Sequence, residues 1–219
     1  MSADIFKFWA EIEAGAMKHP ADAAVLARVD HGLDLKCLPA AFAGPLRTAP
    51  IVLLYLSFGL HEMDRVEARS DEGRARYMRM RKGYEPLPGP DEHLTGHRWW
   101  SSRTRAFGDW EDLRDQVAVL NICAYHSRTF RDYGLLAALP SSRVSLGWAQ
   151  SVLFRQAEAG ERVVICLRAS KYWGLKAGRK YGRSLFAPEV TRSGFMKSSV
   201  SVRGAAIKAA RRIAETFRK

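Results

Sequence analysis

Ile51-Val52-Leu53-Leu54-Tyr55-Leu56, followed at once by Ser57-Phe58-Gly59-Leu60-His61-Glu62-Met63-Asp64, is the stretch that decides the fold. Six apolar residues in a row lack the alternation of a strand with one wet face. They read as a strand covered on both sides, as in a parallel sheet between helical layers. The run then meets a glycine and turns polar and acidic, as strands of open α/β sheets do where their carboxyl ends present side chains to a ligand.

The pattern recurs outward from this stretch. Residues 117–122 form a second apolar run ending in Cys123-Ala124-Tyr125-His126-Ser127, residues 162–167 a third ending in Arg168-Ala169-Ser170-Lys171-Tyr172-Trp173-Gly174, and residues 184–187 a short fourth ending in Pro188-Glu189-Val190-Thr191-Arg192-Ser193-Gly194. Helix-compatible segments separate them: a charged one over 64–82, one over 97–107, one from a Ser145 cap to Ala159 stopped by Gly160, and a basic one over 202–217. Strands alternating with helices predict a three-layer α/β/α domain around a central, mainly parallel sheet of four strands. Residues 1–40 read as a helical docking segment broken at His19-Pro20. Residues 83–96, with Pro86, Pro88, Gly89 and Pro90, read as an irregular surface loop.

The chain has 219 residues, 47% of them hydrophobic, enough for one domain with a sizeable core. Lysine and arginine number 35 against 23 acidic residues, a net charge of +12. That balance favours a polyanionic partner such as nucleic acid, although a basic globular protein without one has the same composition. Cys37, Cys123 and Cys166 lie far apart, two of them inside apolar runs, and show the pattern of neither a disulfide framework nor a zinc or iron–sulfur ligand set. Neither a leader-like start nor a run of membrane-spanning length is visible, so the expectation is a soluble, cytoplasmic protein with no membrane partner, no metal and no cofactor. The oligomeric state is open.

In a parallel sheet the four polar tails emerge on one edge and should converge. Together they supply an amide at Asn121, hydroxyls, arginines, two histidines, carboxylates, and aromatic rings at Phe58, Tyr125, Tyr172 and Trp173. Such a set suits an aromatic, hydrogen-bonding ligand attached to phosphate, a nucleotide above all.

The order of these pieces resembles the uracil-DNA glycosylase superfamily from about Phe42 onward. The resemblance is carried by Phe42-Ala43-Gly44, by Ala49-Pro50 ahead of the first strand and its Ser57-Phe58-Gly59 tail, by Asn121 ending the second strand, and by the loop at Pro188. It implies DNA as partner and hydrolysis of the N-glycosidic bond of a flipped, deaminated or damaged base. It would make Asn121 the base reader, with Phe58, Gly59 and Tyr125 framing the base. The late loop would be Ala187-Pro188-Glu189 or Thr191-Arg192-Ser193, contacting phosphate and offsetting charge on the departing base. The departures are equally specific. Ser57 stands where such enzymes carry Asn or an acid, so water would fall to Asp64, His61 or Glu62 from the next turn. The late loop lacks a histidine, leaving anion contacts to Arg168, Arg192, Ser193, Ser170 and His126, or to backbone amides.

Each signal has a plainer reading. A strand-ending Asn often forms a turn, Asp64 could cap the following helix, and a loop histidine is often only surface. Tyr172-Trp173 could close the core. His97-Arg98-Trp99-Trp100 combines cation and ring as single-strand binders do, yet neighbouring tryptophans on a helix face different ways, so at least one should be core. The alternatives to a glycosylase are a catalytically silent nucleic-acid binder on the same fold and a binder of a nucleotide-like metabolite.

Overall fold

The computed structural model describes residues 3–92, 94–198 and 200–217. Residues 1 and 2 of the expected docking segment and residue 93 of the expected loop lie outside them. The sheet has six strands in the order β1-β3-β2-β4-β6-β5, where β1 is Phe42–Ala43, β2 Ile51–Tyr55, β3 Val117–Asn121, β4 Val163–Cys166, β5 Arg179–Tyr181 and β6 Leu185–Ala187. The four expected strands are β3, β2, β4 and β6, and they run parallel. The four-stranded expectation is corrected at the edges, where two short strands, β1 and β5, pair antiparallel and make the sheet mixed.

Every residue of β2, β3 and β4 is buried, because both faces are covered. Val52, Leu54, Ala118, Leu120, Val164 and Cys166 belong to one core. Their neighbours Ile51, Leu53, Tyr55, Val117, Val119, Val163 and Ile165 belong to the other. The first core is roofed by α1 (Ile5–Ala10), α2 (Ala23–Arg28), α7 (Leu135–Ala138), α8 (Pro140–Trp148) and α9 (Phe154–Ala159), and the second by α5 (Leu94–Thr104), α6 (Trp110–Leu113) and α10 (Val200–Phe217). In α10 the fully buried positions are Ala206, Ala210 and Ala214, four apart, so the helix meets the sheet through methyl groups while Arg203, Lys208, Arg211 and Arg212 stay in solvent.

Two helix boundaries differ from the sequence expectation for local reasons. The charged segment is two helices, α3 (Glu62–Arg69) and α4 (Asp71–Met80), because Ser70 adopts an extended conformation and its hydroxyl accepts from the Gly73 amide at 3.0 Å, capping α4. Ser145 is not a cap. It sits inside α8, which starts at Pro140 with the Ser141 amide donating to the Asp22 carboxylate. Gly160 ends α9 in the left-handed region at φ +84°, as expected. Gly44 is fixed more tightly: at φ +79° an added Cβ would stand 2.4 Å from the Val117 carbonyl oxygen, so only glycine lets the chain pass from β1 to β2 against the sheet.

The amino-terminal segment packs against the rest of the chain through polar as well as apolar contacts. Ile5, Trp9 and Ile12 are buried, and the Tyr125 hydroxyl donates to Asp22 at 2.7 Å while accepting from the His19 amide at 3.2 Å. The three cysteines are free and buried. Burial pushes the thiols of Cys37, Cys123 and Cys166 each up to about 12. The folded protein should therefore leave all three unmodified by a thiol reagent near pH 8, and denaturant should release three. Rapid labelling of any one without denaturant would contradict this burial.

Candidate functional site

At the carboxyl end of β2, the strand where the winding of the sheet reverses direction, lies a pocket of about 300 Å³. This is where open α/β sheets hold ligands, and the size lies at the lower end for small-molecule sites. Its walls are mostly apolar: Tyr55 and Phe58 from β2 and its tail, Tyr77 and Met80 from α4, and Trp99 and Trp100 from α5. The rings lock one another. Tyr55 meets Trp100 edge-on at 5.6 Å, Phe58 meets Trp100 edge-on at 6.2 Å, and Phe58 stacks on the His126 imidazole at 5.6 Å and 22°. Polar groups on the lining are Ser57, His61, Asp64, Arg76 and His126.

Of the four tails expected to converge, two line this pocket: 57–64 after β2 and His126 after β3. The tails of β4 and β6 lie beside it and form a basic flank. Arg168 donates to the Arg192 carbonyl, Arg103 of α5 donates to the Ser193 carbonyl at 3.1 Å, and Thr191 and Ser193 share a hydrogen bond at 3.1 Å. Gly194 packs against Tyr55, where an added Cβ would come within 3.0 Å of the ring. Arg103 joins flank to pocket, lying 3.4 Å over the Trp99 ring and 4.3 Å over Phe195. Burial holds its guanidinium below the usual range, and burial pushes the Tyr55 phenol up. Ser170 opens a short helical turn, Ser170–Trp173, in which Trp173 is fully buried, its core reading, and Tyr172 stacks on Tyr133 at 4.8 Å.

The catalytic candidates are placed unevenly. His61 is the cap of α3: its Nδ1 accepts from the Met63 amide at 3.2 Å, while the Asp64 carboxylate accepts from the His61 amide at 2.7 Å, a reciprocal capping box. Both plainer readings thus apply, yet both residues also line the pocket, and Asp64 reaches further, its Oδ2 standing 3.4 Å from Nδ1 of His126. Ser57 is half-buried on the lining and Gly59 is exposed there, its carbonyl accepting from His126 Nδ1 at 2.8 Å. Below this, Asp34 accepts two hydrogen bonds from Arg65, at 3.0 and 2.6 Å, and its amide donates to the His126 carbonyl at 2.8 Å. Burial works against the Asp34 charge, but the bonds from Arg65 and the Lys36 amide outweigh it and hold the carboxyl below its ordinary value.

Tyr125 faces away from the pocket into the opposite core, as its bond to Asp22 requires, and so does not frame a base. Asn121 is fully buried and outside the lining. It is the register partner of the wall residue Tyr55 and, by strand alternation, shares its sheet face. Neither its amide nitrogen nor its amide oxygen has a hydrogen-bond partner. A buried primary amide with both ends unsatisfied is costly, by about 1–3 kcal/mol per group left alone.

Sequence reading missed Arg76, Tyr77 and Met80, although their i, i+1, i+4 spacing puts them on adjoining strips of α4. It also missed Arg103, whose role depends on a loop distant in sequence. The tryptophan pair divides as anticipated in part, Trp100 being buried and Trp99 39% exposed, but both contribute to the pocket wall. Among the described residues no group of three or more His, Cys, Asp or Glu could hold a metal ion, and no helix is long and apolar enough to cross a membrane.

No family model and no curated protein matches the chain.

Proposed function

We propose that this protein binds DNA along the carboxyl edge of its sheet and takes a flipped base into the aromatic pocket, where it cleaves the N-glycosidic bond. The observation that carries the reading is Asn121. An amide able to both donate and accept, buried beside Tyr55 of the ring wall with neither end satisfied, would complement the edge of a pyrimidine or purine that also donates and accepts, provided the wall opens to admit the base. The supports are physical. Phe58, Trp99 and Trp100 offer stacking surfaces for a planar ring. Arg103, Arg168 and Arg192 lie next to the pocket, where the phosphates on either side of a flipped nucleotide would run. The net charge of +12 suits the same polyanion.

One observation favours the silent binder instead: His61 and Asp64 are both engaged in capping α3. Labelled single- and double-stranded oligonucleotides carrying uracil, hypoxanthine or a mismatch separate the readings. The expected result is alkali-labile abasic sites in one of them, with retention of the oligonucleotide falling steeply as salt rises. Salt-sensitive retention without base release would leave the silent binder. Neither retention nor release would overturn DNA as the partner and leave a nucleotide-like metabolite.

A further inference from the structure

We infer that His126 is the catalytic base of this pocket, its Nε2 taking the proton of the water that attacks the sugar carbon, with Asp64 as the positioning residue. The inference rests on the base-excising reading above and assigns its missing water activation. The argument starts from the proton on the ring. His126 Nδ1 lies 2.8 Å from the Gly59 carbonyl oxygen and 3.4 Å from Asp64 Oδ2, and both of these atoms only accept. Nδ1 therefore carries the hydrogen, and in the neutral ring the lone pair is on Nε2. Nε2 is buried and has no hydrogen-bond partner. The ring is 4% exposed and belongs to the pocket lining.

The ring is also held still. Phe58 stacks on it, the Asp34 amide holds its carbonyl, and the next amide, that of Ser127, donates to the Phe58 carbonyl at 3.4 Å. Such support keeps a functional side chain in one orientation. The charged and titratable groups facing it are Asp64 and His61 from α3, the Asp34–Arg65 pair beneath, and Arg76, bound to Glu67, with Tyr77 from α4. The carboxylate nearest the ring, Asp64, favours the imidazolium that forms when Nε2 accepts a proton. The other candidates are less suited. His61 spends its Nδ1 on the Met63 amide, and a serine hydroxyl such as that of Ser57 takes no proton at neutral pH.

In the step itself, the water oxygen bonds to the anomeric carbon as its proton passes to Nε2. The carbon–nitrogen bond breaks, and its electron pair leaves with the base. The base then takes a proton from solvent, and the imidazolium returns one to solvent.

The test is the rate of base release across about pH 5–9 for the natural protein, His126→Asn and Asp64→Asn, with retention of an abasic oligonucleotide measured beside it. In His126→Asn the new side-chain amide can still donate to the Gly59 carbonyl but offers nothing at the Nε2 position. The natural protein should lose rate tenfold per pH unit on the acid side of the imidazole pKa. His126→Asn should be slower by about 10²- to 10⁴-fold with that limb gone and retention kept. Asp64→Asn should lower kcat with KM and retention unchanged, a split that a purely capping role would not produce. If His126→Asn loses retention too, His126→Gln is read in its place. Full rate in a variant that retains DNA, or a flat acid side in the natural protein, overturns the role of His126 and leaves base excision standing. No release of any base by the natural protein overturns both.

Discussion

Asp22→Ala should strongly destabilise the fold, costing about 2–5 kcal/mol. Its carboxylate is fully buried and accepts from the Tyr125 hydroxyl at 2.7 Å and the Ser141 amide at 3.0 Å. Removing it strands two buried donors, each worth about 1–3 kcal/mol when left without a partner. The loss spreads, because the same tyrosine oxygen accepts from the His19 amide, and His19 is the hub of the segment. Its ring stacks on Phe8 at 3.9 Å, donates through Nε2 to the Phe8 carbonyl at 2.8 Å and accepts at Nδ1 from the Ala21 amide at 3.1 Å. For a chain of this length, about 2–4 °C is lost per kcal/mol, so the melting midpoint should fall by on the order of 10 °C. Tyr125→Phe should cost less than Asp22→Ala, and the two together less than their sum, because each removes the same bond. A midpoint within about 2 °C of the natural protein for Asp22→Ala would show that apolar contacts alone seat the segment.

This network explains why Tyr125 could be misread from sequence. It follows a strand end, and by topology alone it belongs with the ligand-facing tail. What turns it inward is an acid 103 positions earlier, and no local pattern marks Asp22 as buried, since an aspartate after Pro20 reads as an ordinary helix start. Ser145 misleads in the same way. A serine ahead of an apolar run is a cap by pattern, yet the cap of α8 is that same distant acid, received at Ser141. The central strands carried their own evidence, because covering both faces leaves no position for a polar residue until the strand ends. The edge strands did not: β1 has two residues and β5 is Arg179-Lys180-Tyr181, two exposed cations and a half-buried ring, so neither shows a period.

The site was legible in the same measure. The tail 57–64 and His126 follow long apolar strands, and both reach the pocket. The late tails fall beside it because Tyr55 and Gly194 close the space between, a consequence of one ring meeting one glycine. Arg103 enters the site only because α5 crosses under that late loop, a contact spanning 90 positions. Asp64 shows why a residue's two readings need not compete. Its oxygen caps α3 and, from the same helix start, stands beside His126, so the cap fixes the carboxylate against the imidazole.

Asn121→Leu should separate function from stability in opposite directions. Leucine is close to asparagine in shape and leaves no polar atom in a place where the native amide bonds to nothing. Replacing an unsatisfied buried group by an apolar one of similar shape removes its desolvation cost, so the variant should be more stable by about 1–3 kcal/mol. The environment favours this sign, because the same sheet face carries Val117 and Val119 before it and Tyr55 opposite. On the base-excising proposal, in which the ring wall opens and the base edge meets this amide, base release should meanwhile fall by about 10²-fold or more. DNA retention should hold on the same proposal, which gives the phosphate contacts to the arginines of the flank. Equilibrium unfolding and the oligonucleotide assay, run on one preparation, decide it. A protein kept under strain by a ligand-reading group gains stability when that group is lost. Destabilisation by the leucine would mean instead that the amide is satisfied in solution and serves the fold, and full base release would remove Asn121 from the site altogether.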